Sequence, residues 1–228
     1  MLESLSSHIR HYIQGLPANI EFQTPNGQIH PFCFSEPTQS RDALRIINLD
    51  VTTLISLSSD MVFPGTQITE GVKSVPALNV QVIEEAKAPF REFLKLYLSH
   101  CEELVCSRAV LQKFAKISSL VAGCDERIRG RRLFDESSLR EHDVFDSFAL
   151  DAKEESMRKD VAEIHLPCKV KVIESGDQSP DDDQELLDSV KIVADRFQAL
   201  TLTANKKLVS NLNSVVFHKP RSFIGRRG

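Results

Sequence analysis

Residues 44–55, LRIINLDVTTLI, place the strongest constraint on how this chain can fold. Leu44, Ile46, Ile47 and Leu49 form a short apolar run, the pattern of a strand buried on both faces. The run ends at Asp50, and Thr52 and Thr53 can cap a helix that carries Leu54, Ile55 and Leu57. A carboxylate therefore stands at the carboxyl end of a central strand, the edge of an open α/β sheet where ligands bind. Two roles are open to Asp50: capping that helix, or serving a site at that edge.

Around this centre the chain reads as alternating strands and helices. Residues 1–40 read as an N-terminal helix and arm: Leu2, Leu5, Ile9, Tyr12 and Ile13 lie near one helical face, and residues 15–40 are rich in Pro, Gly, Gln and Ser. Residues 60–80 read as loop. Pro89 can open a helix that carries Phe90, Phe93, Leu94, Tyr97 and Leu98, the spacing of a packed core face. Leu104 to Cys106 form a short strand, and a helix runs from Arg108 to Val121, ended by Gly123. Residues 124–163 are so heavily charged that they read as a surface insertion, helical in part. KVKVI at 169–173 alternates as a strand does. A helix over about 181–198 follows, capped by Ser179, Asp181 or Asp182, with Leu186, Leu187, Val190, Val193, Ala194 and Phe197 on one face. ALTLTAN reads as a strand, KKLVSNLN as a short helix, SVVFH as a last strand, and 224–228 as a basic tail.

This alternation implies a parallel sheet covered on both faces. Right-handed crossovers put successive strand ends on one edge, which draws Asp50, the acidic run at 181–183 and Asn205 toward one place.

Composition narrows the function. A hydrophobic content of 41% supplies one core of ordinary size, and a net charge of −4 gives no global drive toward nucleic acid or membrane. The basic residues are nevertheless clustered, at Arg127, Arg129, Arg131 and Arg132 and again at Lys219, Arg221, Arg226 and Arg227. No apolar run reaches about 18 residues, so no membrane span is expected. Five cysteines without a CxxC pair, behind an N-terminus lacking a secretory apolar core, point to reduced thiols in an intracellular protein, cytoplasmic or nuclear. The absence of GxGxxG, P-loop and HExxH patterns argues against nucleotide-binding Rossmann enzymes and zinc proteases.

Three pieces in order resemble the PIN domain, the fold of many metal-dependent ribonucleases. NLDVTTLI is similar to the PIN opening, DDxxL at Asp182, Asp183 and Leu186 opens an apolar helix, and LTLTANKKL resembles the Leu-Leu-Thr-Asn-Asp-Lys-Asn-Leu of eukaryotic PIN domains. A closer likeness, over roughly 44–134 and 183–223, is to the uncharacterised family built on domain of unknown function 1308. NLDVTTLI, the stretch from Ala122 to Arg129, ALTLTAN and the HKPR at His218–Arg221 carry it. Its longer members have an additional N-terminal domain that this chain is expected to lack. They also carry Gly-Thr-Gly-Asp before the TAN strand, where this chain reads IVAD and keeps only Asp195.

The resemblance implies a PIN-like three-layer α/β/α sandwich with a mostly parallel central sheet over 41–223. It also implies a metal-dependent endoribonuclease or RNA-processing factor. PIN nucleases gather about four carboxylates that hold Mg²⁺ or Mn²⁺ through oxygens. Asp50 matches the first. Lys113 stands at the usual second. Asp183 matches the third, with Asp182, Asp188 and Asp195 as substitutes, although Asp195 is too far along an unbroken helix to share a site with Asp183. Asn205 stands at the fourth. Asp50, Asp183 and Asn205 would then be catalytic. Two acids, an amide and a lysine offer too little negative charge for two ions, so one weakly held Mg²⁺ or Mn²⁺ is expected, on Asp50, Asp183 and Glu126. Glu126 is otherwise a solvated charge beside an arginine. Thr52 would orient Asp50, and Lys113, Arg129 and Arg221 would touch the phosphates of single-stranded RNA. Lys113 and Asn205 equally suit a PIN-like module that has lost catalysis and holds RNA or a protein partner. His218 and the cysteines read as structural.

Overall fold

The structure is a computed structural model that describes residues 21–23, 29–31, 45–63, 82–83, 85–86, 89–98, 101–150, 154, 158, 161–162, 164–176, 179–205 and 214–216. It divides into two compact units, Met1–Thr38 and Gln39–Gly228. In the first, β1 (Glu21–Gln23) pairs antiparallel with β2 (Ile29–Pro31), Phe22 opposite His30. The stretch expected to be linker or arm therefore contains a paired ribbon. The expected helix at 2–14 lies outside the described residues.

The second unit is α/β. Its sheet has the order β5-β4-β3-β6-β7, formed by β3 (Ile46–Leu49), β4 (Glu103–Ser107), β5 (Val170–Ile173), β6 (Leu200–Thr203) and β7 (Ser214–Val216). Every pairing in it is parallel. The apolar run before Asp50 is thus the middle strand, flanked on both sides, which explains why it tolerates no exposed polar position. Asn48 is its one polar side chain. Its Nδ2 donates to Val190 O (3.0 Å) and to Thr201 Oγ1 (3.1 Å), so both protons of that amide nitrogen are satisfied where burial would otherwise be costly.

The described helices are α1 (Val51–Ser58), α2 (Phe90–Leu98), α3 (Arg108–Val121), α4 (Cys124–Arg132), α5 (Glu136–Glu141) and α6 (Asp183–Phe197). Alternating strand residues bury on opposite sides of the sheet. Ile47, Leu49, Leu104 and Cys106 share the main core with Leu54, Leu57, Leu111 and Phe114. Val105 and Ile173 pack instead with Val193 of α6. Ser107 caps α3 by accepting from Val110 N, and its hydroxyl meets that of Ser189 at 2.8 Å, which joins the β4 end to α6.

Two local expectations are corrected and a third is narrowed to one residue. Gly123 does not end α3, whose C-cap is Ala122; it is the N-cap of α4. Asp182, accepting from Gln184 N and Glu185 N, is the cap chosen for α6. The charged stretch from 124 is no surface insertion over the 124–148 part. Leu133, Phe134, Leu139, Val144 and Phe148 are in the main core, and the buried Glu126 and Arg129 lie among them. Charge density misled here because ionic groups can be buried when each is paired.

Gly130 marks how closely α4 sits on that core. A Cβ there would stand 3.0 Å from Phe148 Cε1 and 3.1 Å from Phe114 Cζ, two fully buried rings 5.5 Å apart. Gly130→Ala should gain about 1 kcal/mol of helix propensity and lose about 1–3 kcal/mol to overpacking. The expected result is a net destabilisation of about 1 kcal/mol in urea unfolding, where an exposed helical glycine would show a gain.

Candidate functional site

Asp50 follows the last residue of β3 and precedes the first of α1, so its backbone serves both elements. It is the N-cap of α1: Oδ1 accepts from Thr53 N at 2.9 Å. The threonines expected to cap the helix instead cage the cap. Thr52 Oγ1 donates to the carboxylate, 2.7 Å from Oδ1 and 2.9 Å from Oδ2, and Thr203 Oγ1 donates to Oδ2 at 2.5 Å. These hydroxyls are held in turn by the end of β6. Ala204 N donates to Thr52 Oγ1 and Asn205 N to Thr203 Oγ1, both at 2.8 Å. Two main-chain amides just past β6 thus feed two hydroxyls, and the hydroxyls feed one carboxylate.

Asp50 is only 3% exposed, and burial pushes its pKa up against the lowering effect of the Thr203, Thr52 and Thr53 hydrogen bonds. Thr53 Oγ1 lies 2.5 Å from the carbonyl of Leu202 and 3.0 Å from Asp50 Oδ1. A hydroxyl has one proton, and the carbonyl is the nearer acceptor. A proton on Oδ1 would therefore find Thr53 Oγ1 as its own acceptor. The cage suits the neutral carboxyl as well as the ionised one.

Among the described residues, Asp183, Asp188, Asp195 and Lys113 do not bond to it. Asp183 is exposed on the first turn of α6. Asp188 accepts from Gln184 Nε2 on the same helix, and Asp195 lies near its far end. Lys113 lies 3.8 Å from Asp181, whose carboxylate Lys116 also holds at 2.8 Å; Lys116 foremost keeps the Asp181 pKa low. Of Asn205 the main chain reaches the cage, through Thr203. Arg221 and His218 lie outside the described residues.

Glu126 is the second buried carboxylate, 1% exposed. Oε2 accepts from Gly123 N (2.8 Å), closing the first turn of α4, and Oε1 accepts from Asp60 N (3.0 Å) in the 3₁₀ turn Asp60–Val62. Arg129, one turn on and 4% exposed, donates from Nε to Ser58 O at 2.7 Å and forms a short ion pair from Nη2 to Asp60. Its guanidinium also stacks over Phe63 at 4.3 Å. Glu126 and Arg129 thus join α4 to the end of α1. Sequence reasoning assigned both to ligands because nothing in the sequence says which charges face inward; the Glu126–Arg129 spacing on one helical face was the available signal.

Among the described residues, no group of three or more His, Cys, Asp and Glu is placed to hold a metal ion. The oxygens of Asp50 and Glu126 are taken up by protein donors, so the donor set does not fit the expected Mg²⁺ or Mn²⁺.

Fold and site together define an α/β protein with an all-parallel sheet whose middle strand ends on a buried, threonine-caged carboxylate. The family described as "Protein of unknown function (DUF1308)" matches residues 47–166, from the middle strand through α5, and the chain belongs to that family. No curated protein and no solved structure matches the chain. Among the described residues no helix is long and apolar enough to cross a membrane.

Proposed function

We propose that this protein is a PIN-like module of three-layer α/β/α build that binds a partner and does not cleave RNA. The observation that carries the reading is the closed state of Asp50. A carboxylate that positions a metal and water must offer oxygens to a cleft, and this one gives its oxygens to Thr52, Thr53 and Thr203. The threonines make Asp50 the fastening between β3, α1 and β6, which is a structural task.

A protein partner suits the described surface better than an RNA strand. Arg127 and Arg132 each give a hydrogen bond to a main-chain carbonyl, of Ala149 and Val161, and Arg129 is buried, so these arginines build the fold before they could track phosphates. The described cysteines, Cys101, Cys106, Cys124 and Cys168, are free thiols, which suits work in the cytoplasm or nucleus.

The alternative is a metal-dependent endoribonuclease. The two separate cleanly with labelled single-stranded RNA in Mn²⁺, Mg²⁺ or EDTA. We expect no cleavage that EDTA abolishes, and a melting temperature that Mn²⁺ leaves in place. EDTA-sensitive cleavage by the wild type, lost in a folded Asp50→Asn variant, would overturn the binding-module reading.

A further inference from the structure

The cap of α6 is Asp182, which leaves Ser179 without that task. Ser179 lies exposed on the loop between β5 and α6. Its main-chain N donates to Glu185 Oε2 at 2.6 Å, and its Oγ accepts from Asp181 N at 3.3 Å. Among the described residues the hydroxyl proton of Ser179 has no acceptor. Ser119 and Ser137 are exposed too, but they stand within α3 and α5, where a cleft that needs an extended strand of substrate meets wound backbone.

Pro180 follows the hydroxyl, and Pro180 and Asp181 form a turn. Serine first and proline second is the composition that such a turn favours. The sequence holds two hydroxyl–proline pairs, this one and Thr24–Pro25, which lies outside the described residues. Proline has no main-chain N–H to leave unpaired. A protein-kinase cleft that offers no acceptor to the residue after the target hydroxyl therefore favours proline there and penalises every other residue. The acids that follow are engaged. Lys116 holds the Asp181 carboxylate at 2.8 Å with Lys113 at 3.8 Å, and Asp182 gives Oδ1 to the helix cap. The two ammonium groups also offset charge that would repel an added phosphate.

We propose that Ser179 is a phosphorylation site for a proline-directed serine/threonine kinase. Ser179 Oγ attacks the γ-phosphorus of ATP. The Oγ–P bond forms as the bond from that phosphorus to the bridging oxygen of the β-phosphate breaks. ADP leaves, and the hydroxyl proton passes to the catalytic aspartate of the kinase. The modified loop carries a dianion beside Lys113 and Lys116, ahead of the α6 N-terminus.

The test incubates the full chain with ATP and a proline-directed kinase, and in parallel with an acid-directed kinase. Peptide mass spectrometry reads the phosphate residue by residue, which keeps Thr24 separate from Ser179. The expected result is phosphate on Ser179 from the proline-directed kinase, absent in Ser179→Ala. Pro180→Ala should slow that labelling at least about tenfold, the cost of one unpaired N–H in the kinase cleft. Labelling of Ser179 by the acid-directed kinase alone, or at an unchanged rate in Pro180→Ala, would overturn the proline-directed assignment. No phosphate on Ser179 from either kinase, in protein whose circular dichroism shows it folded, would overturn the proposal as a whole. A synthetic peptide of residues 174–185 is run beside the folded chain. Labelling of the peptide without labelling of the chain would mean that the fold withholds the hydroxyl, and would overturn the proposal equally.

Discussion

Replacing Arg129 by alanine is expected to cost about 4 kcal/mol of stability, the largest loss from breaking any single ion pair among the described residues. The substitution removes the donors to Ser58 O and Asp60 and the ring contact with Phe63 in one step. It also leaves Asp60 with its carboxylate in a nearly closed setting, where an unpartnered charge is costly. Arg129→Lys keeps the charge and loses the fork that spans two acceptors, so about half that loss is expected. Urea unfolding with both variants measures it: the midpoint should fall while the slope with denaturant stays constant. A loss below about 1 kcal/mol for the alanine variant would mean that packing, and not this pair, joins α4 to α1. The pair need not be better than an apolar substitute; breaking it one-sidedly is what the prediction concerns.

Asp50→Ala is expected to cost about 3–5 kcal/mol, because it strips the acceptor from Thr52, Thr203 and the Thr53 amide together and removes the cap of α1. The more informative variant is Asp50→Asn, read against pH. Burial raises the Asp50 pKa, so the folded protein keeps this proton to a higher pH than the unfolded chain does. Between the ordinary aspartate value of about 4 and the raised folded value, the native state binds more protons, and the stability due to Asp50 falls as pH rises. The contribution is whole below the unfolded pKa and is lost through the folded one. Asparagine has no such term. The stability gap between wild type and Asp50→Asn should therefore narrow as pH rises through that window. The exposed Asp181 and Glu136, whose pKa values are lowered by Lys116 and Arg140 respectively, push the other way in both proteins and cancel in the difference. A gap that widens with pH would mean that Asp50 is ionised at ordinary acidity, with its hydrogen bonds outweighing burial.

These results bear on function as much as on stability. If the carboxylate is a fastening, its loss shows first as unfolding and as a changed pH profile. If it is a metal ligand, its loss shows as activity lost from a fold that remains stable.

The local periodicities determined much of the architecture. The apolar run before Asp50, the helix at 108–121 and the apolar face at 186–197 each signal their element through spacing alone. Strands alternating with helices then leave few arrangements other than a parallel sheet. Asp50 at the end of the middle strand was legible for the same reason: a strand that ends in a carboxylate followed by hydroxyl residues is a local pattern. What the tertiary structure decided is the direction each charge faces. Thr203 is far from Asp50 in sequence, and only the pairing of β3 with β6 brings its hydroxyl to the carboxylate. Glu126 and Arg129 sit in a stretch whose composition reads as solvated, yet Asp60, Ser58 and Gly123 supply the partners that make their burial affordable. Charge is a property of the residue, whereas burial is a property of the neighbours. Acids that read as ligands in one dimension become, once their partners arrive, the bonds that hold the fold together.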